Sequence, residues 1–178
     1  MILLQSLRSL MFDIVLYSFS AIYLTLLLPV LLINPDRFGI KILKGLMRAL
    51  LFFLKYVVGL TYHVKGIDYL NAVLKAGPCI VACKHQSAWE TIALGTFFDD
   101  FRFVLKSELR KVPLFGFYLK KTRMIFIDRQ SGRGSIKTLL TQSRQIIGNG
   151  ESILIFPEGT RTAIGAESHY QSGVGLLY

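Results

Sequence analysis

Cysteine is scarce in this chain: Cys79 and Cys83 are the only two in 178 residues, and both lie in the apolar run "PCIVAC". They come with neither the second cluster nor the histidine spacing of a zinc site. They read as small core residues in a reducing compartment. Acidic residues are also in deficit, 11 Asp plus Glu against 21 Lys plus Arg, for a net charge of +10. A balance of that sign suits nucleic acid, anionic lipid or a phosphorylated ligand. Internal repeats and low-complexity tracts are missing. So is the Gly-x-Ser-x-Gly elbow that exposes a catalytic serine.

What the chain has in excess is apolar sequence, 52% of its residues, with a mean hydropathy of +0.48. The excess is concentrated at the front. From Ile14 to Ile33 the sequence reads "IVLYSFSAIYLTLLLPVLLI" without a charge, a length that matches ~30 Å of hydrocarbon. No small-x-small cleavage pattern follows Leu32-Ile33-Asn34, so the run is expected to be a retained membrane segment rather than a signal peptide. Pro29 near its end allows a kink, which leaves spanning and monotopic insertion both open. With this hydrophobic front, lipid is a better partner for the positive charge than nucleic acid.

In the next segment, "IKILKGLMRALLFFLKYVV", Lys41, Lys44, Arg48 and Lys55 fall within a stripe about 60° wide at 100° per residue. Leu43, Leu46, Leu50, Phe53, Leu54 and Val57 take the other side. The pattern predicts a basic amphipathic helix lying in an anionic interface, or a core helix with one solvated face; its place after a hydrophobic run favours the membrane. Basic residues after Ile33 outweigh those before Ile14, which puts the remainder of the chain on the cytoplasmic side of an inner membrane.

At about Thr61 the pattern changes to strand and helix alternation, which predicts an α/β domain over 61–178 behind a membrane-associating segment, 1–60. "TYHVKGID", the buried-looking "PCIVACKH", "FRFVLKSEL", "RMIFIDR" and "SILIFPEGT" read as strand-like runs. Before the last of them, "SGRGSIKTLLTQSRQIIGNG" predicts a helix capped by Ser131 or Ser135 and stopped by Gly148 and Gly150. Four runs deliver polar residues at their C-terminal ends: His85 with Glu90, Lys106 with Glu108, Asp128 with Arg129, and Glu158 with Arg161. Open α/β sheets bind ligands at the carboxyl ends of strands, so one pocket could collect all four groups.

The spacing of His85 and Glu90 allows a carboxylate to hold one imidazole nitrogen while the other takes a proton from a hydroxyl. Ser87 between them suits a helix N-cap better than a nucleophile. Arg161, Arg129 and Lys106 at neighbouring strand ends suit a phosphate monoester, with the guanidinium forks able to bind it bidentately.

"KHQSAWE", "LKSELRKVPLFG", "MIFIDR" and "FPEGTRT" resemble, in order and spacing, the first three motif blocks of the glycerolipid acyltransferases, most closely the bacterial 1-acyl-sn-glycerol-3-phosphate acyltransferases of the PlsC type. The resemblance covers about Thr61 to Tyr178 and implies the α/β acyltransferase fold, with a central sheet flanked by helices. It implies that His85 deprotonates the sn-2 hydroxyl of lysophosphatidic acid, which attacks a thioester of acyl carrier protein or coenzyme A to give phosphatidic acid. Neither a metal nor a prosthetic group is implied. By motif position, Glu90 is the acidic partner of His85; Lys106, Arg129 and Arg161 bind the phosphate; Glu158, Gly159 and Thr160 shape the acceptor pocket. Two departures stand out. The family's usual acidic residue is Asp, one methylene shorter than Glu90. The chain also ends at "YQSGVGLLY", before the helix, strand and Val-Pro motif that the family carries next, so an exposed sheet edge is expected. An acyltransferase with another acceptor, or an inactive lipid-binding remnant, are the competing readings.

Overall fold

The computed structural model describes residues 2–128, 131–167 and 169–177, with every side chain except that of Ile2. The chain opens with a helical hairpin. Helix α1 (Ile2–Ile33) turns at Asn34 into α2 (Pro35–Phe53), which continues as a π-helical turn over Leu54–Val58. The turn follows from its residues. The Asn34 side chain accepts the Arg37 N–H at 2.9 Å, Pro35 needs no donor in the first turn, and Asp36 complements the positive helix end.

Helix α1 is the one described helix long and apolar enough to cross a membrane, with mean hydropathy 2.1 and only 11% of its span buried. At about 1.5 Å per residue it is longer than a hydrocarbon layer is thick. In the first half Leu3, Leu7, Leu10 and Ile14 are exposed; in the second, one face is buried at Leu24 and Leu31, where the Tyr118 hydroxyl donates to the Leu24 carbonyl at 2.7 Å, and the other exposes Ile22, Leu26 and Ile33.

The apolar side of α2, expected from its basic stripe to lie in a membrane interface, faces protein instead. Leu43, Leu46 and Leu50 are buried together with Ile40 and Ile42 against α1 and the α/β layer. Contact is close enough that a β-carbon at Gly39 or Gly45 would collide with Thr122 or Tyr23. Lys44 leaves the cationic stripe as well: its ammonium donates to the Phe98 carbonyl and pairs with Asp99 at 3.8 Å. Lys41, Arg48 and Lys55 stay exposed.

The predicted strand at "TYHVKGID" does not form. Residues 59–66 are irregular and have no ladder partner, and the chain enters α3 (Ile67–Ala76) through Gly66 at φ +78°. The four other runs are strands: β1 (Ile80–Ala82), β2 (Phe101–Lys106), β3 (Ile125–Ile127) and β4 (Ser152–Ile155). They form one parallel sheet in the order β1-β4-β2-β3. Central β4, "SILI", is buried at every position, as a strand covered on both faces must be. By contrast β1 is an edge strand and only half-buried, which corrects its buried-looking sequence.

Side-chain alternation along the strands divides the core. Phe101, Phe103, Met124, Phe126 and Leu154 pack toward the hairpin, α4 (Trp89–Leu94) and α5 (Phe115–Lys121). Ile125, Ile153 and Ile155 pack on the other face against Leu139 and Ile146 of α6 (Arg133–Gly148). Neither Ser131 nor Ser135 caps α6. Gly132 holds the N-cap position, and both serine hydroxyls are drawn to Asp128, one to its carboxylate and one to its carbonyl.

Candidate active site

The parallel sheet brings the C-terminal ends of β1 and β4 side by side, and the residues just beyond them build the site. Beyond β1 the ladder runs one step further, with the Cys83 N–H on the Ile155 carbonyl at 3.0 Å, before the chain turns through Lys84 and His85. Beyond β4 it turns through Pro157 and Glu158, with Gly159 at φ +70° taking the left-handed position.

These two loops are bolted together at the histidine's main chain. The buried Glu158 carboxylate accepts the His85 N–H at 2.7 Å, and the Thr162 N–H donates to the His85 carbonyl at 2.8 Å. The imidazole stacks on Phe156 with ring centroids 4.2 Å apart, and Phe156 in turn stacks on Phe103. The β1 loop is thereby held by the β4 loop through both polar groups of one residue, while the ring has its own aromatic support.

Glu90 is close to the imidazole but committed elsewhere. Its Oε2 stands 3.9 Å from His85 Nδ1, an ion-pair distance and longer than a hydrogen bond. The carboxylate accepts the N–H groups of Gln86 and Ser87 at 2.9–3.2 Å and the Ser87 hydroxyl at 2.9 Å, while Ser87 Oγ accepts the Trp89 N–H at 3.1 Å. Ser87 and Glu90 thus form the reciprocal bonds of a capping box at the start of α4. With its proton on a carboxylate and its lone pair on a backbone N–H, Ser87 is a cap and is not poised as a nucleophile. His85 Nδ1 is buried without a hydrogen-bond partner.

Burial holds the His85 pKa below its ordinary value. Glu90 opposes that effect, Arg161 adds to it, and smaller contributions come from Glu158, which raises it, and Lys106, which lowers it. The imidazole is therefore neutral near pH 7, the form a general base needs. Burial also raises the Cys83 thiol pKa, with Glu90 and Glu158 acting in the same direction, which disfavours the thiolate.

The structure gathers His85, Glu90, Lys106, Glu158 and Arg161 within electrostatic reach of one imidazole. Lys106 is the last residue of β2 and exposed, as are Arg161 and Thr160. Arg129 lies outside the described residues. Behind Phe156, Pro157 and Gly159 a cavity of about 250 Å³ runs between the sheet and α6, walled by Leu105, Ile136 and Leu139 among others. Among the described residues no three His, Cys, Asp or Glu side chains come together as a metal site. Sequence reasoning finds the Ser87 cap but misses that Glu90 completes it, a signal present as Ser-x-x-Glu, and misses the Glu158 bond to a main-chain N–H, which has no local signature.

Residues 61–174 match the Acyltransferase family. A 1-acyl-sn-glycerol-3-phosphate acyltransferase of Pseudomonas aeruginosa is 32% identical over 170 residues, covering 95% of this chain and 65% of that protein. The enzyme of the same name from Bacillus subtilis is 32% identical over 113 residues, 62% of this chain and 54% of the relative. The chain thus spans between half and two thirds of the length of these relatives. The crystal structure of PlsC, the 1-acyl-sn-glycerophosphate acyltransferase of Thermotoga maritima, superposes with a TM-score of 0.73 over 97% of this chain and 70% of that one, at 20% identity, which establishes a common α/β fold. From its sequence over residues 61–174, and with a fold to match, the chain belongs to the Acyltransferase family.

Proposed function

We propose that the chain acylates the sn-2 hydroxyl of 1-acyl-sn-glycerol 3-phosphate, using acyl carrier protein or coenzyme A thioester as donor, and releases phosphatidic acid and a thiol. The observation that carries this reading is a stacked, backbone-clamped imidazole at the carboxyl end of a parallel sheet, its pKa lowered by burial, with Arg161 and Lys106 beside it. The relatives' names supply the acceptor class.

In this reading His85 uses the ring nitrogen turned away from Glu90. As that nitrogen takes the hydroxyl proton, the oxygen forms its bond to the thioester carbonyl carbon. The tetrahedral adduct then expels the sulfur, which recovers the proton from the imidazolium, so no proton is left over. Glu90, 3.9 Å from Nδ1, stabilises the imidazolium while it exists. Arg161 and Lys106 hold the acceptor's phosphate, with Arg129 assigned there by motif position alone. The apolar cavity behind Gly159 receives an acyl chain. No cofactor takes part. The exposed first half of α1 associates with a membrane, and we assign the catalytic domain to the cytoplasmic face of the inner membrane.

Thiol release by the purified chain in detergent, with and without lysophosphatidic acid, tests the reading. Release should depend on acceptor and fall about 10²- to 10⁴-fold in His85→Ala. Undiminished release in that variant would remove the histidine from the mechanism.

A further inference from the structure

A second cavity lies away from His85, a groove of about 530 Å³ on the outer edge of β3, between the end of α5 and the last turns of α6. Its floor is apolar and closed, since Met124 and Phe126 are almost fully buried. Its walls are polar and carry one sign of charge: Arg110, Lys120 and Arg123, with the carboxamides of Gln142, Gln145 and Asn149. Among the described residues no acidic side chain lines it.

The three cations are not equivalent. Arg123 is spoken for: it takes the left-handed conformation at φ +55°, pairs with buried Glu151 at 2.6 Å and reaches Asp36 at 3.3 Å, so it is a fixed post of the wall. Arg110 and Lys120 have no carboxylate partner among the described residues. The Arg110 guanidinium lies 4.4 Å over the Phe126 ring, which fixes its plane and leaves its N–H edge for a ligand. Two uncompensated cations, one of them preorganised, in a cleft of ligand size call for phosphate. The carboxamides beside them offer the paired donors and acceptors that the edge of a nucleobase matches.

We infer that this groove binds the phosphorylated nucleotide end of a coenzyme A thioester, and so takes the donor by a handle remote from the reacting carbonyl. The inference rests on the acyltransferase reading and selects one donor within it. Arg110 lies four residues beyond the end of β2, but its guanidinium reaches back over Phe126, and Lys120, Arg123 and Asn149 place the rest of the groove toward the opposite end of the sheet from His85. From β3 to β1 there are three interstrand spacings, about 14 Å across the sheet, so the extended arm between nucleotide and thiol has to run along the strands as well as across them. A convex acidic protein face would not fill a concave cleft of this size, which argues against the carrier-protein donor here.

Adenosine 3′,5′-bisphosphate, which has the phosphates of the donor's nucleotide and no thiol, separates the site from the chemistry. Calorimetric titration of the whole chain in detergent should show saturable binding. Binding should weaken about tenfold or more in Arg110→Gln/Lys120→Gln, the loss of a charge-assisted hydrogen bond or two, and be unchanged in His85→Ala. In steady-state assays the double variant should raise KM for acyl-coenzyme A with kcat retained. Lys120→Glu, a change at an exposed position that the fold tolerates, should abolish probe binding by charge reversal alone. Absence of saturable binding, or binding equal in wild type and both variants, would overturn the inference. So would a KM effect confined to acyl carrier protein. Probe binding that responds to the variants in a chain with no transferase activity would sustain the groove and sink the acyltransferase reading instead.

Discussion

Two carboxylates approach His85 from different loops, and they behave differently. Glu158, beyond β4, is buried and accepts the histidine's backbone N–H at 2.7 Å. Glu90, on α4, stands 3.9 Å from the ring and divides its oxygens among two backbone N–H groups and a hydroxyl. The first fixes where the residue is; the second influences what its ring does. Glu158 therefore acts chiefly on position and Glu90 chiefly on proton affinity, where burial is the largest influence and Glu158 a smaller one.

The largest effect is expected at the positional carboxylate. Glu158→Ala leaves the His85 N–H without its acceptor, at a cost of about 1–3 kcal/mol in unfolding free energy. It should also lower kcat/KM by about 10²-fold, the scale of an ångström-sized misplacement. Chemical denaturation and thiol-release kinetics check the two halves. A variant that loses stability but keeps its rate would show that the clamp serves the fold alone. Glu90→Gln should cost less, about tenfold in kcat, the worth of one charge-assisted contact to the imidazolium. Its charge raises the His85 pKa, so removing it should also move the acid limb of the pH–rate profile to lower pH. A change in stability with no movement of the limb would reduce Glu90 to its capping role. Ser87→Ala should have the smallest effect, about 1 kcal/mol of stability from the lost cap, with turnover persisting. Loss of turnover by several decades in that variant would reinstate Ser87 as a nucleophile.

The same contrast explains what could be read from the chain. The strand ends were legible because a covered parallel strand is a short apolar run with polar residues beyond it, as in "SILIFPEGT". His85 and Glu90 were legible because they sit five residues apart. The role of Glu158 was not, because its partner is a main-chain N–H 73 residues away, and a backbone donor leaves no mark in a sequence. Helix α2 is the complementary case. Its apolar stripe was plain, but a stripe reports only that one face is covered, and the same period serves lipid and protein. What settled it was tertiary: Gly39 and Gly45 let α2 approach Thr122 and Tyr23 closely, so Leu43, Leu46 and Leu50 are buried in protein. In α6 both candidate caps were diverted to one neighbour, Asp128, a competition that propensity does not register. The lipid-facing expectation keeps its ground along α1, where Leu3, Leu7, Leu10 and Ile14 are exposed in the first half and Ile22, Leu26 and Ile33 in the second.

The central claim is that a neutral His85, its pKa lowered by burial and by the Arg161 charge, is the base. The most direct test is the pH dependence of kcat/KM for thiol release in wild type and Arg161→Ala, since that ratio reports the free enzyme's essential groups. A base is active when deprotonated, so the wild-type rate should rise with pH through a limb below the ordinary histidine value of about 6.5. Because Arg161 lowers the His85 pKa, its removal should move that limb upward. A wild-type profile with no acid limb below that value, or one that stays in place when Arg161 is removed, would contradict the account.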